Sequence, residues 1–293
     1  MDDLPLPLPQ SPEFARTCAA LGLPHRCHDE DAAVWQIQSR RLPVLGQVDL
    51  LSRGPVWRDP SDTAGWLRGV GAMQRGRPLI LNADGLSGTE LRAAGFWPLV
   101  TPVTLAMLRL GPEAAMRAAL RQKWRNRLNR AEQAGLKLDW SELAGDRDHW
   151  LLQAEEALQK HRGYRGWPPT LLRAFGAANP GKARIVTARR NGHPVAAALF
   201  LCHGAMATYQ IGQSLPEGRR LNAMNLVLWE GMRDLAARGH SLLDLGTLNA
   251  DDAPGLAHFK LGTGADAVVQ GGTWLYHRAL APVARRLPKF FAA

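Results

Sequence analysis

Ala183-Arg-Ile-Val-Thr-Ala-Arg189, Asn191-Gly192, Val195-Ala-Ala-Ala-Leu-Phe-Leu-Cys202, His203-Gly204, Ala205-Met-Ala-Thr-Tyr-Gln-Ile-Gly212: three apolar runs separated by two tight turns decide the fold. Asn-Gly supplies the positive-φ pair that a two-residue hairpin needs, and the second turn carries Gly204. The stretch reads as a three-strand antiparallel meander.

Upstream of the meander, the pattern predicts helices over Asp148 to Lys160 and Pro168 to Ala178. Downstream comes a loop at Pro216-Glu-Gly218, then a helix from Asn222 to Arg238 whose Met224, Leu228, Met232 and Leu235 share one face. Gly239 stops it, Leu242 to Leu245 reads as a strand, Leu256 to Leu261 as a short helix, and Ala267 to Tyr276 as closing strands.

The first half mixes the same elements. A helix spans Phe14 to Leu21, ended by Gly22 and Pro24; strands over Ala33 to Gln38 and Val44 to Leu51 are joined across Arg40 to Pro43. Pro60, Ser61 and Asp62 signal a helix start, with Trp66, Leu67, Val70 and Met73 on one face. A strand at Pro78 to Asn82, a helix at Ser87 to Ala94 and an extended stretch from Trp97 to Leu110 follow. The clearest helix is expected from Pro112 to Ala134, with Leu120, Trp124, Leu128 and Ala131 as its apolar stripe and Arg117, Arg121, Lys123, Arg125, Arg127 and Arg130 as its charges. Leu136 to Trp140 is a strand, and the Gly145-Asp146 region is the expected boundary between domains 1–140 and 141–293.

Bulk properties narrow the function classes. A 293-residue chain that is 46% hydrophobic and 21% charged can bury a sizeable core and is neither fibrous nor disordered. Three scattered cysteines, Cys18, Cys27 and Cys202, argue against a disulfide framework, and the cytoplasm is the expected compartment. Met1 to Gln10 lacks the basic start and apolar stretch of a secretory signal, and no run reaches the length of a membrane-spanning helix. The net charge of +10 favours an anionic partner without choosing one. His25, Cys27 and His28 lack a second ligand pair at zinc-like spacing, so they read as a polar loop, and no metal is expected.

The order of helices and strands in the second half is that of the GNAT acyltransferase superfamily. A more specific match lies in Tyr209-Gln-Ile-Gly-Gln-Ser214, Glu217-Gly-Arg-Arg-Leu221, Trp229-Glu230, Leu243-Asp-Leu-Gly246 and Phe259-Lys-Leu-Gly-Thr-Gly264, which resembles the C-terminal half of the Fem family of aminoacyl transferases. Arg53-Gly54-Pro55 and the basic helix ending at Gly135 resemble features of the same family. The resemblance implies an α/β (α+β) fold of two tandem GNAT-like domains with mixed, mostly antiparallel sheets flanked by helices. It is the compact type, since no long heptad segment marks an inserted helical arm.

Transfer of an acyl group to an amine needs a stabiliser for the oxyanion and a route for the amine proton. Lys260 is the first candidate, because the resemblance places that lysine beside the reacting carbonyl; a surface lysine is the plain alternative. Phe259 is either a wall of the donor pocket or a core aromatic, and Gly262 and Gly264 either admit a ligand close to the backbone or simply end the helix. Tyr209 and Asp244 are candidates for acceptor contact or proton handling, against a structural role in hydrogen bonding. The loop Glu217 to Ala223 does not fit the glycine-rich pattern that grips the CoA pyrophosphate, although Arg219 and Arg220 still offer charge to a donor phosphate. Arg53 either holds an anionic acceptor or stabilises its turn.

The leading reading is an N-acyltransferase that takes an aminoacyl group from aminoacyl-tRNA, or a related activated acyl group, to an amine acceptor. An acyl-CoA-dependent N-acyltransferase is the alternative, and a non-catalytic binding protein the third. No tightly bound cofactor is implied. The basic helix reads equally as a track for tRNA phosphates or as a solvated face, and Arg285, Arg286, Lys289, Phe290 and Phe291 either touch an anionic membrane or belong to a docked helix.

Overall fold

The computed structural model describes residues 4–43, 46–74, 76–143, 149–163, 166–249 and 251–286. Contacts divide the chain into two units, one of 9–104 with 269–293 and one of 1–8 with 105–268.

The unit that begins at Pro9 runs α1 (Pro12–Ala20), β1 (His25–Asp29), β2 (Ala33–Leu42), β3 (Gly46–Gly54), β4 (Val56–Trp57), α2 (Thr63–Met73), β5 (Leu79–Ala83), α3 (Gly88–Ala94) and β6 (Trp97–Val100). The other runs β7 (Thr104–Arg109), α4 (Glu113–Ala119), α5 (Gln122–Gln133), β8 (Lys137–Glu142), α6 (Trp150–Arg162), α7 (Pro169–Ala178), β9 (Ala183–Arg190), β10 (His193–His203), β11 (Met206–Ser214), α8 (Pro216–Arg220), α9 (Ala223–Ala237), β12 (Leu242–Leu248), α10 (Pro254–Leu261) and β13 (Asp266–Val269). The chain then returns to the first unit with β14 (Thr273–Tyr276) and α11 (Ala281–Ala284).

The first sheet has the order β1-β2-β3-β5-β14-β6, with β4 also on β2; the second has β13-β7-β12-β11-β10-β9-β8. Both are mixed sheets: β3 pairs β5 in parallel and β11 pairs β12 in parallel, within otherwise antiparallel ladders such as β8-β9, β9-β10 and β10-β11. The α/β class and the meander follow the sequence expectation.

The apolar run of β10 has a direct structural cause. Ala196, Ala198, Phe200 and Cys202 face a core built with Trp124 and Leu128 of α5 and Val227, Leu228 and Met232 of α9. Ala197, Leu199 and Leu201 face the opposite core, with Leu151 and Leu152 of α6 and Leu172 and Phe175 of α7. A strand covered on both faces carries no polar alternation. The first unit packs Trp35, Leu51, Leu81, Phe96 and Trp274 around α2 and α3.

Several boundaries differ from expectation. The division does not fall at 140/141: β7, α4, α5 and β8 belong with the second sheet, because β8 pairs β9, and β14 inserts between β5 and β6 of the first. The expected helix from Pro112 to Ala134 is two helices. Leu120 is extended at φ −58 and ψ 132, the Arg121 N–H donates to the Gly262 carbonyl, and the Arg125 guanidinium satisfies the Ala118 and Leu120 carbonyls left open at the end of α4. Residues 25 to 29, read as a polar loop, form the edge strand β1, held by its ladder to β2. The loop at Pro216 contains the short helix α8. Of the tail residues, Lys289, Phe290 and Phe291 lie outside the described residues, while Ala281 and Ala284 of α11 are buried.

Candidate active site

The parallel ladder between β11 and β12 runs only from Met206↔Leu242 to Thr208↔Asp244. Beyond that register both strands continue, β11 to Ser214 and β12 to Leu248, and a cavity of about 920 Å³ opens between them. Two local features assist the divergence. The Asp244 carboxylate accepts the Gly246 N–H at 2.7 Å, and Gly246 takes φ +79, which turns β12 where only glycine sits without strain. On β11, a side chain at Gly212 would collide with the Tyr209 hydroxyl.

Lys260 enters this cavity from α10, together with Leu256 one turn earlier. It is buried, 7% exposed, and its Nζ donates to the Thr247 carbonyl at 2.8 Å. Burial pulls its pKa from 10.5 down to about 8, and the nearby Asp244 carboxylate opposes that shift. Asp244 is itself buried. The Tyr209 hydroxyl donates to Met224 Sδ at 3.6 Å, and burial, with the Glu155 carboxylate, raises its pKa far above the ordinary phenol value. It therefore stays protonated.

On the other side of α10, His258, Phe259 and Gly262 line a second cavity of about 450 Å³ with Arg121, Gln122, Lys123, Trp124 and Arg127. The start of α5 has no side-chain cap. Arg121, Lys123 and Arg127 are exposed and make no ion pair among the described residues, unlike Arg117, which pairs with Glu132 at 2.7 Å. Phe259 tilts against Trp124 at 6.0 Å between ring centres, so it belongs to this second cavity and not to the first.

The structure thus gathers Lys260 and Tyr209 at one opening, with Asp244 behind Lys260. Gly262 and Gly264 are closely packed: a side chain at Gly262 would come 2.6 Å from Cδ1 of the Trp124 ring, and one at Gly264 2.9 Å from the Ala119 carbonyl, where φ is +92. Arg219 and Arg220 are exposed on α8, and Arg219 Nε donates to the Ser214 carbonyl at 3.1 Å. Arg53 lies in the other unit at φ +55, before the cis Gly54-Pro55 bond.

Residues that sequence reasoning missed include Glu155 and Gln213, joined at 2.8 Å and both at the cavity. A glutamate on an ordinary amphipathic helix gives no signal of this kind. Trp124 was legible only as core. Among the described residues no group of three His, Cys, Asp or Glu side chains is arranged to hold a metal ion, and no helix is long and apolar enough to cross a membrane.

Residues 118–265 match the family model described as acetyltransferase (GNAT) domain. Comparison with curated proteins finds no match. In structure the chain is similar to FemX, with a TM-score of 0.74 and 14% identity over 96% of this chain and 95% of that one. It is also similar to the C-terminal domain (DUF2156) of a putative lysylphosphatidylglycerol synthetase from Agrobacterium fabrum, with a TM-score of 0.54 and 16% identity over 94% and 89% of the two chains. A third similar structure is L-PGS from Bacillus licheniformis, at a TM-score of 0.55 and 11% identity over 94% and 97%. At these identities the likeness is one of fold.

Proposed function

The chain belongs to the acetyltransferase (GNAT) domain family and is an acyltransferase, and we propose that it transfers an aminoacyl group from aminoacyl-tRNA to an amine at the opening between β11 and β12. The observation that carries this reading is Lys260, a buried ammonium at the wall of that cavity, held by the Thr247 carbonyl.

In the proposed step the acceptor nitrogen attacks the donor's acyl carbon. A C–N bond forms, the carbonyl becomes an oxyanion, and the Lys260 ammonium stabilises it in a water-poor site where a fixed cation acts strongly. Collapse breaks the ester C–O bond, and the proton lost by the amine is taken up by the departing hydroxyl. Tyr209 stays a neutral donor and takes no part as a base. Asp244 keeps Lys260 charged and holds the turn at Gly246.

Two features support a nucleic-acid donor. The β11 to α9 connection is filled by α8, with Gly218 packed under the Val195 carbonyl, in place of an open glycine-rich loop. The cations at the start of α5, which make no ion pair among the described residues, adjoin Phe259, the neighbour of Lys260, and suit phosphates. The second reading, an acyl-CoA donor, is favoured by the splayed parallel pair itself and by the family description. The chain would act where charged tRNA is made, and the acceptor is an amine.

Fluorescence anisotropy with charged tRNA and with acyl-CoA, each at two salt concentrations, separates the readings. Salt-sensitive binding of charged tRNA supports the first. Binding of the CoA ester alone overturns it in favour of the second.

A further inference from the structure

With acyl transfer placed at the opening between β11 and β12, the reading on which this inference rests, Lys260 fixes where the acyl carbon sits. The side chains around Lys260 then bear on what that carbon carries. Along α10, Ala253, Leu256 and Lys260 follow at spacings of three and four residues, so they share one helix face, and all three line the cavity. Such neighbours stand about 5 to 6 Å apart at Cβ. A substituent on a carbonyl carbon held at the Lys260 ammonium therefore lies within reach of Leu256.

Leu256 is 48% exposed, whereas Ala257 beside it is buried. A half-exposed leucine is ordinary on a protein surface; the place of this one is not. It stands one turn from the buried lysine, on a wall that also receives Leu158 of α6, Ile211 of β11 and Leu245 of β12. Apolar side chains from four elements thus converge on the opening, and a cavity of about 920 Å³ has room for more than a methyl group.

The carboxylates at the same opening do not call for a charged substituent. Glu155 accepts the Gln213 amide at 2.8 Å and the Gln159 amide at 3.1 Å, and Asp252, exposed, accepts the Asn249 amide at 2.8 Å. A cationic side chain next to the acyl carbon would also meet the Lys260 ammonium, where like charges repel. An anionic one would take up the ammonium that the oxyanion needs.

We propose that the transferred acyl group carries an apolar substituent of about leucine size, and that Leu256 is the residue that selects it.

The test charges one acceptor-stem RNA with leucine, alanine, lysine or glutamate, and sets hexanoyl-CoA beside acetyl-CoA. Hydroxylamine is the acceptor, and kcat/KM is read from hydroxamate formed above the uncatalysed rate. Leucyl is transferred faster than alanyl, lysyl and glutamyl, or, on the CoA carrier, hexanoyl faster than acetyl. Leu256→Ala lowers the leucyl-to-alanyl or hexanoyl-to-acetyl ratio about 10-fold, and Leu256→Met, which keeps the volume, restores most of it; circular dichroism checks that both variants fold. Equal kcat/KM for all acyl groups, a preference for lysyl or glutamyl, or a ratio unchanged in Leu256→Ala overturns this inference and leaves acyl transfer at Lys260 standing. No hydroxamate from any donor overturns that reading and this inference with it.

Discussion

Replacing Lys260 by methionine should make the protein more stable and inactive at once. The pKa of Lys260 falls from 10.5 to about 8 in the folded chain, which corresponds to about 3 kcal/mol of cost for keeping it charged and buried. The sign follows from proton binding. Below pH 8 both states hold the proton and the full cost is present; between pH 8 and 10.5 the unfolded chain binds more protons, so stability rises with pH. Methionine fills a similar volume and removes that cost, but leaves the Thr247 carbonyl without its donor, a loss of about 1 kcal/mol. The net gain at pH 7 is about 2 kcal/mol; it falls to zero just below pH 10 and above pH 10.5 becomes a deficit of about 1 kcal/mol. Urea denaturation of both proteins at pH 7 and pH 10 measures it, beside a turnover assay. A variant that is less stable at pH 7, or a difference that does not change with pH, refutes the reasoning.

Three further outcomes follow from the same geometry. Activity should decline as pH rises through about 8, and Asp244→Asn, which removes the carboxylate that favours the charged lysine, should move the decline to lower pH in a kcat/KM profile. Replacing Arg121, Lys123 and Arg127 together by alanine should leave the melting temperature nearly unchanged and flatten the salt dependence of charged-tRNA binding, by about 0.7 in log–log slope for each lost phosphate contact. Gly231→Ala should destabilise the fold by about 1 to 3 kcal/mol in chemical denaturation, because the new methyl group would strike the buried Phe200 ring.

Much of the fold was written locally. The Asn191-Gly192 turn and the flanking apolar runs specify the meander, since each strand is bounded by residues that favour positive φ, and Asn191 and Gly192 both adopt it. What was not legible depends on long-range pairing. Nothing near Thr273 to Tyr276 says that this strand inserts between β5 and β6, nearly two hundred residues earlier in sequence, so the division could not be placed from local pattern. The break at Leu120 was hidden for a similar reason, because the group that anchors the start of α5 is the distant Gly262 carbonyl.

The candidate site was half visible in the sequence. Lys260, Tyr209 and Asp244 came from a motif and a strand order, and the structure sets Lys260 and Tyr209 on one cavity with Asp244 coupled to the lysine. Phe259 adjoins Lys260 in sequence, but successive helical residues point about a third of a turn apart, so it serves the neighbouring cavity. Glu155 and Gln213 reach the opening only through tertiary packing.

The most direct measurement uses hydroxylamine as a small generic amine and follows hydroxamate formation from charged tRNA and from acyl-CoA. The account predicts that the wild-type protein accelerates aminolysis of the charged tRNA well above the uncatalysed rate, and that the folded Lys260→Met variant does not. Equal rates for the two proteins with both donors would contradict the assignment of acyl transfer to the opening between β11 and β12.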